Sequence, residues 1–315
     1  MTDLPTAVLG RTGLVVTKLG FGAMELRGAR DGSRSAADDI APRILNQVLD
    51  AGINFIDTSP DYGSSERVIG EAIASRRDEY FLASKCGCSV VGTSASAGET
   101  PPHDFTPENI RAAVERSLQR MRTDHLDVVQ FHMSPSRATL EQDGAVEALV
   151  ELQGEGKIRF LGMSGTLPNI ADHIAMGVFD AFQIPYSALE REHEQVISDA
   201  AAAGAGTIIR GGAAKGQPDV MPNAETFSET NRARMVQAAE SRRQHWEDAR
   251  LDDLLEGESR TEFTLRFTLT HPDLHTTIVG TKNPDHLAAN VAVASRGPLP
   301  PDVYEEAKRR LGGSR

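Results

Sequence analysis

Eight short apolar runs, separated by longer segments of helical period, constrain this chain more than any other feature. The runs are Lys18–Gly22, Asn54–Asp57, Tyr80–Lys85, Leu126–His132, Ile158–Ser164, Ala181–Pro185, Gly206–Arg210 and Thr276–Val279. Between them, Ile40–Ala51 sets Ile40, Ile44, Val48 and Ala51 on one stripe. Pro107–Arg120 starts behind a Thr106 cap, with proline in the first turn and Glu108 early. Ala145–Gln153, Glu192–Ala202 and the shorter Thr261–Thr270 read the same way. Strands alternating with helices call for a parallel sheet with right-handed crossovers. Eight such units close most simply into an α/β, (β/α)8 TIM barrel. The competitor, a doubly wound open sheet, usually carries Gly-x-Gly-x-x-Gly after its first strand, and Gly20-Phe21-Gly22-Ala23-Met24 has only the first two glycines.

Ahead of the first unit, Ala7–Leu9 and Leu14–Val16 flank Gly10-Arg11-Thr12-Gly13, the pattern of a β-hairpin over residues 7–16. Two segments break the rhythm after the seventh run. Gly211–Ser228 reads as a long loop, and Thr230–Asp253, which carries the single Trp246, as an added, exposed amphipathic helix. The whole of 1–315 is expected to be one barrel domain with extra C-terminal helices.

Charge narrows the function. Lys and Arg number 33 against 45 Asp and Glu, so the net charge is −12. An acidic chain without a long basic run makes a poor partner for nucleic acid or an anionic membrane. No stretch approaches the ~20 apolar residues of a membrane span, and Met1–Gly10 lacks a signal-peptide pattern. Two cysteines cannot build a disulfide framework, which suits a reducing compartment. The expected setting is cytoplasmic. The sequence is silent on oligomeric state.

In such a barrel the chemistry sits at the C-terminal strand ends. The second run ends in Asp57 with Tyr62 following, the third ends in Lys85 and the fourth in His132. Free tyrosine and lysine titrate near 10 and 10.4, so neither is a ready acid at neutral pH. An ammonium beside the phenol favours tyrosinate, and a carboxylate beside the ammonium keeps it charged. His132 could then orient a substrate oxygen. Taken singly, each has an ordinary reading: a turn aspartate, a surface lysine, a loop tyrosine, a structural histidine.

Asn54-Phe55-Ile56-Asp57-Thr58-Ser59-Pro60-Asp61-Tyr62-Gly63 with Ser65-Glu66, then Ala83-Ser84-Lys85, then Leu126–His132, resembles the aldo-keto reductase superfamily. The resemblance runs from Leu9 to a helix ending near Leu311. It implies a (β/α)8 barrel, a catalytic tetrad at Asp57, Tyr62, Lys85 and His132, and a nicotinamide cofactor, usually NADPH with NADH possible. The implied cofactor contacts are Gly22, Ala23, Met24 and Asp57 early in the chain, then Ser164, Gly165 and Gln183. After the seventh run they are Arg210, Gly211 and Lys215, and around the eighth Gly280, Thr281, Lys282, His286 and Asn290.

Departures from the family pattern are visible. Gly165 replaces the usual asparagine after Ser164, Arg210 stands where many members place an aromatic, and His286 where several carry arginine. The implied reaction is reduction of an aldehyde or ketone, with Tyr62 as general acid. A cofactor-bound regulatory or sensor subunit is the alternative, and a metal-dependent barrel hydrolase is disfavoured because no His-x-His follows the first strand. No metal site is expected: Cys86-x-Cys88 supplies two of the four ligands such a site needs, and no second cysteine pair exists. His271 and His275, flanking Pro272, read as solvated, and His103 as plain loop or the edge of a substrate mouth. The charges between Glu240 and Glu256 read as a solvated helix face.

Overall fold

The structure, a computed structural model, describes residues 4–28, 36–90, 103–142, 144–213 and 229–312. β1 (Thr6–Val8) and β2 (Val15–Thr17) form the antiparallel hairpin, with Thr6 opposite Thr17. Leu9 and Leu14 lie just outside these strands. Eight parallel strands follow: β3 (Leu19–Gly22), β4 (Phe55–Asp57), β5 (Phe81–Cys86), β6 (Leu126–Phe131), β7 (Ile158–Ser164), β8 (Ala181–Pro185), β9 (Gly206–Arg210) and β10 (Thr276–Val279). Each pairs with the next, and β10 closes the ring on β3 with Thr277 opposite Leu19. The expected (β/α)8 barrel is the fold.

The hairpin has a job in this architecture. Leu9, Leu14 and Val16 are buried against Phe55, Ala83, Val128, Ala181 and Ile208, which line the barrel interior near the strand starts. Each aliphatic side chain removed from water there contributes about 1.5–3 kcal/mol. The contact is close enough that a Cβ on Gly206 would collide with Leu9. With one end plugged, the opening is left at the C-terminal strand ends.

The helices are α1 (Ala36–Asp50), α2 (Ser65–Ile73), α3 (Pro107–Met121), α4 (Arg137–Gln142), α5 (Ala145–Gly154), α6 (Ile170–Met176), α7 (Glu194–Ala202), α8 (Glu229–Asp248), α9 (Arg260–Thr270), α10 (Pro284–Ser295) and α11 (Pro301–Arg310). Local chemistry explains their ends. Thr106 accepts from Asn109 N at the start of α3, and Ser259 and Glu262 form a capping box on α9. On α1, Ile44 and Val48 are fully buried while Ile40 and Ala51 pack at the edge of the core. No helix among the described residues is long and apolar enough to cross a membrane.

Three expectations are corrected. The Thr230–Asp253 segment is not one helix: α8 ends at Asp248, and a short 3₁₀ turn follows at Leu251–Leu254. Trp246 is not exposed but buried edge-on against Phe263, its Nε1 donating to Asp252. That one aromatic anchors an otherwise charged helix. The two loop histidines are not solvated either. His271 is buried against Tyr186, and His275 Nδ1 accepts from Thr207 N at 3.0 Å. His275 ties the start of β10 to β9, and His271 packs the same loop against Tyr186, partnerships that spacing along the chain does not reveal. Of Gly211–Ser228, only 211–213 fall within the described residues, and Lys215 lies outside them.

Candidate active site

Asp57 closes β4, and its carboxylate is saturated. Oδ2 accepts from Lys85 Nζ at 2.7 Å, and Oδ1 accepts from both Gln130 Nε2 and Gln183 Nε2 at 2.8 Å. Lys85 Nζ also donates to the Thr58 carbonyl at 2.8 Å. Both members of the ion pair are buried. A buried charge pair survives only when the remaining polar atoms are also satisfied, and here β4, β5, β6 and β8 each supply one of the groups involved. Burial is the largest single influence and pushes the Lys85 ammonium down; Asp57, Tyr62 and Cys88 together outweigh that and hold the group above its ordinary value.

Tyr62 sits in the loop after β4, with Lys85 Nζ 5.1 Å from its ring centroid. The sequence argument expects the ammonium to make this phenol a better acid. Burial acts the other way and is larger, so the net shift of Tyr62 is upward, although Lys85 and Arg210 both pull it down. His132 follows β6 directly, its backbone N donating to the Cys86 carbonyl. Its ring meets Tyr62 edge-on at 6.3 Å between centroids. The four expected residues therefore do converge on one rim.

Beside them opens a cleft between β3, β9 and β10. Among the expected contacts, Gly22, Met24, Asp57, Gln183, Arg210, Gly211 and Gly280 line it, together with Tyr62. Glu25, Gly212, Ala213, Ile278 and Val279 also line it and were not expected. A Cβ on Gly280 would run into the Gly22 carbonyl, and Gly211 holds φ +82°, so side chains are excluded where backbone must approach a ligand. Burial pushes the Arg210 guanidinium below its ordinary value, while Tyr62, Glu190 and Asp57 act on it as charges. Among the described residues it has no hydrogen-bonded or ion-paired partner within contact. A desolvated cation at a glycine-lined cleft suits an anionic ligand.

The model of the aldo/keto reductase family matches residues 18–310. The chain belongs to that family. Among its relatives, the uncharacterized oxidoreductase YqkF of Bacillus subtilis (strain 168) is 27% identical over 303 residues, spanning 91% of this chain and 90% of that protein. L-galactose dehydrogenase of Arabidopsis thaliana is 36% identical over 172 residues, 52% of this chain and 50% of its own length. The holo form of aldo-keto reductase AKR11C1 from Bacillus halodurans superposes with a TM-score of 0.79 at 26% identity, covering 99% and 98% of the two chains. This aldo-keto reductase is thus a nicotinamide-dependent oxidoreductase of carbonyl compounds.

The remaining expected residues lie around the cleft rather than in it. Ser164 Oγ donates to Gln183 Oε1 at 3.4 Å. Gly165 packs on Ile170, where a Cβ would be tight at 3.0 Å, and Ala23 is fully buried. Thr281 is nearly buried, Asn290 is half-buried, and Lys282 and His286 are exposed at the start of α10. Besides those five cleft residues, the roles of two more side chains of this aldo-keto reductase were not read from the sequence, although His103 was named as loop or the edge of a substrate mouth. Gln130 was read only as part of a strand, and the inward side of a barrel strand cannot be told from periodicity when both faces are buried. His103 lies before α3, and its Nε2 is 3.3 Å from His132 Nδ1. A loop residue carries no periodic signal at all.

Proposed function

We propose that this protein reduces an aldehyde or ketone to an alcohol, with NADPH as the preferred cofactor and Tyr62 as the general acid. The observation that supports this reading most directly is the buried Lys85–Asp57 pair at 2.7 Å, with the ammonium 5.1 Å from the Tyr62 ring. When bound, the nicotinamide supplies a hydride for the carbonyl carbon. Tyr62 gives its phenolic proton to the carbonyl oxygen as charge builds there. The tyrosinate that remains faces Lys85 and the field of Arg210, which favour it. Desolvation opposes that anion beforehand, so the cation supports it most where charge develops. His132, edge-on to the Tyr62 ring, orients the carbonyl.

Gly22, Ala23, Met24, Gln183, Gly211 and Gly280 are assigned to the cofactor's backbone-lined bed, with Ser164 and Gly165 behind Gln183. Arg210 is assigned to the pyrophosphate. Thr281, Lys282, His286 and Asn290 are assigned to the adenosine end, where the 2′-phosphate would meet the N-terminus of α10. Lys215 is assigned to the same anionic cofactor on sequence grounds alone. The test is a panel of aldehydes and ketones, followed by loss of nicotinamide absorbance with NADPH and with NADH. Turnover in wild type and its loss in Tyr62→Phe support the reading. No turnover on any carbonyl with either cofactor overturns it.

A further inference from the structure

Four side chains from four different segments converge on one point beside the Tyr62 pocket. They are Asp61 in the loop after β4, Cys88 just past β5, His103 ahead of α3, and His132 just past β6. Their ligand atoms all lie within 4.8 Å of one another. His103 Nε2 and His132 Nδ1 are 3.3 Å apart. Asp61 Oδ2 is 3.3 Å from His132 Nδ1 and 3.4 Å from His103 Nε2, and Cys88 Sγ is 3.4 Å from His132 Nδ1. The cluster is nearly dry: Cys88 is buried, and the other three side chains are 12–14% exposed.

Hydrogen bonds account for only part of this arrangement: His132 Nδ1 meets His103 Nε2 and Cys88 Sγ, and Ser59 Oγ reaches Cys88 Sγ at 3.6 Å. Asp61 Oδ2 is buried with no hydrogen-bond partner, although two imidazole nitrogens lie 3.3 and 3.4 Å away. An ordinary aspartate–histidine pair would aim an N–H at that oxygen. Here the nitrogens, the oxygen and the sulfur instead lie within 4.8 Å of one another. Bonds of about 2.0–2.3 Å from a tetrahedral zinc ion place its ligand atoms about 3.3–3.6 Å apart, which is the spacing observed for four of the pairs. The donor set matches as well, with nitrogen, sulfur and carboxylate oxygen all on zinc's preferred list. Thiolate and carboxylate together neutralise a divalent ion, so the buried site would carry no net charge.

We propose that Asp61, Cys88, His103 and His132 form a closed, four-coordinate site for a divalent cation of the zinc class. Four protein ligands leave no open position, so the ion is a structural clamp rather than a Lewis acid for substrate. It ties the loops after β4, β5 and β6 to the segment that enters α3. Cys88 and His103 already face each other through an isolated antiparallel bridge, so the backbone presents both ligands together. The consequence for His132 rests on the proposed reaction. With Nδ1 on the metal, the ring keeps its one proton on Nε2, and the tautomer that can donate to a carbonyl is fixed. Binding exchanges protons for the cation: Cys88 gives up its thiol proton as the sulfur–metal bond forms. The site draws one ligand from each segment, which is why a search for a second cysteine pair could not find it.

The full-length protein is treated with a chelator under reducing conditions, dialysed, and titrated with Zn²⁺ against a chromophoric competitor. Co²⁺ is added to a parallel sample. The expected result is one tightly bound Zn²⁺ per chain, a rise in melting temperature on its addition, and an intense tetrahedral Co²⁺ spectrum with a thiolate-to-metal band. Cys88→Ser should remove that band, and His103→Ala should weaken Zn²⁺ binding by more than about 100-fold, beyond the usual cost of losing a supporting group. Circular dichroism of both variants checks folding; if they fail to fold, the wild-type cobalt spectrum decides alone. No binding against the competitor, an octahedral spectrum without a thiolate band, or affinity unchanged in both folded variants would overturn the site.

Discussion

Gln183 Nε2 donates to Asp57 Oδ1 at 2.8 Å across the barrel, joining the end of β4 to the middle of β8. Gln130 reaches the same oxygen at the same distance. The carboxylate that holds Lys85 is therefore itself held from two sides, and its orientation does not depend on a bound ligand. The same bonds commit the Gln183 amide nitrogen, leaving its oxygen, already approached by Ser164 Oγ at 3.4 Å, as the atom that faces any further donor.

Replacing Gln130 by leucine should expose what this clamp contributes. The carboxylate loses one charge-assisted bond in a buried place, where such a loss costs about 1.5–3 kcal/mol. Urea denaturation of Gln130→Leu should show a stability loss of about that size, with turnover also reduced because Asp57 and Lys85 are freer to shift. A variant as stable as wild type would mean that the second amide alone satisfies Asp57.

For Tyr62→Phe, the expectation is a fall in kcat of about 10²–10⁴-fold, the usual loss with a general acid. Cofactor affinity, measured by fluorescence titration, should hardly change, since the phenolic proton is used only as the carbonyl is reduced. Turnover above about half of wild type would remove Tyr62 from the role.

Arg210 supplies a separate test of where the cofactor lies. Arg210→Ala should raise the cofactor dissociation constant about tenfold, as a charge-assisted contact contributes about 1.5–3 kcal/mol and part of it is regained from water. Should the cofactor constant stay put while the substrate KM changes, Arg210 belongs to the substrate instead.

Selectivity between the two nicotinamide cofactors can come only from groups that touch the extra phosphate. Lys282 and His286 are exposed at the N-terminus of α10, where the helix dipole also favours an anion, while Asp285 in the same turn opposes it. Dissociation constants for NADPH and NADH should differ in favour of NADPH in wild type. Lys282→Ala should erase most of the difference, and His286→Ala less of it. Equal constants in wild type would refute the preference.

Four histidines give the fold an acid limit. Burial is the largest influence on His173, His193, His271 and His275, and it pushes each below its ordinary value of 6.5. The folded state thus binds fewer protons than the unfolded chain as pH drops past 6.5. Their neutral forms contribute stability that is complete above that pH and lost as pH falls through the lowered folded values. His275 Nδ1 and His193 Nε2 accept backbone N–H bonds from Thr207 and Leu167, which protonation would break. Melting temperature should decline as pH falls below about 6.5. A flat profile below that pH would mean that these rings charge without cost.

The eight strands, the hairpin and several helix starts were legible in the chain because each rests on local chemistry: an apolar run, a cap, a first-turn proline. Asp57, Lys85 and His132 were legible because the end of a barrel strand is a place that alternation alone defines. What the sequence could not determine is which side chains meet across the barrel. Gln130 and Gln183 lie 53 residues apart by number and share one oxygen only because the ring closes. His103 reaches His132 only because the segment before α3 returns over the strand ends, and Trp246 is core only because α8 lays it on Phe263. The sign of the Tyr62 shift belongs to the same class. The neighbouring charges can be read from residue types, but burial is larger than their pull, and burial exists only once the chain has folded.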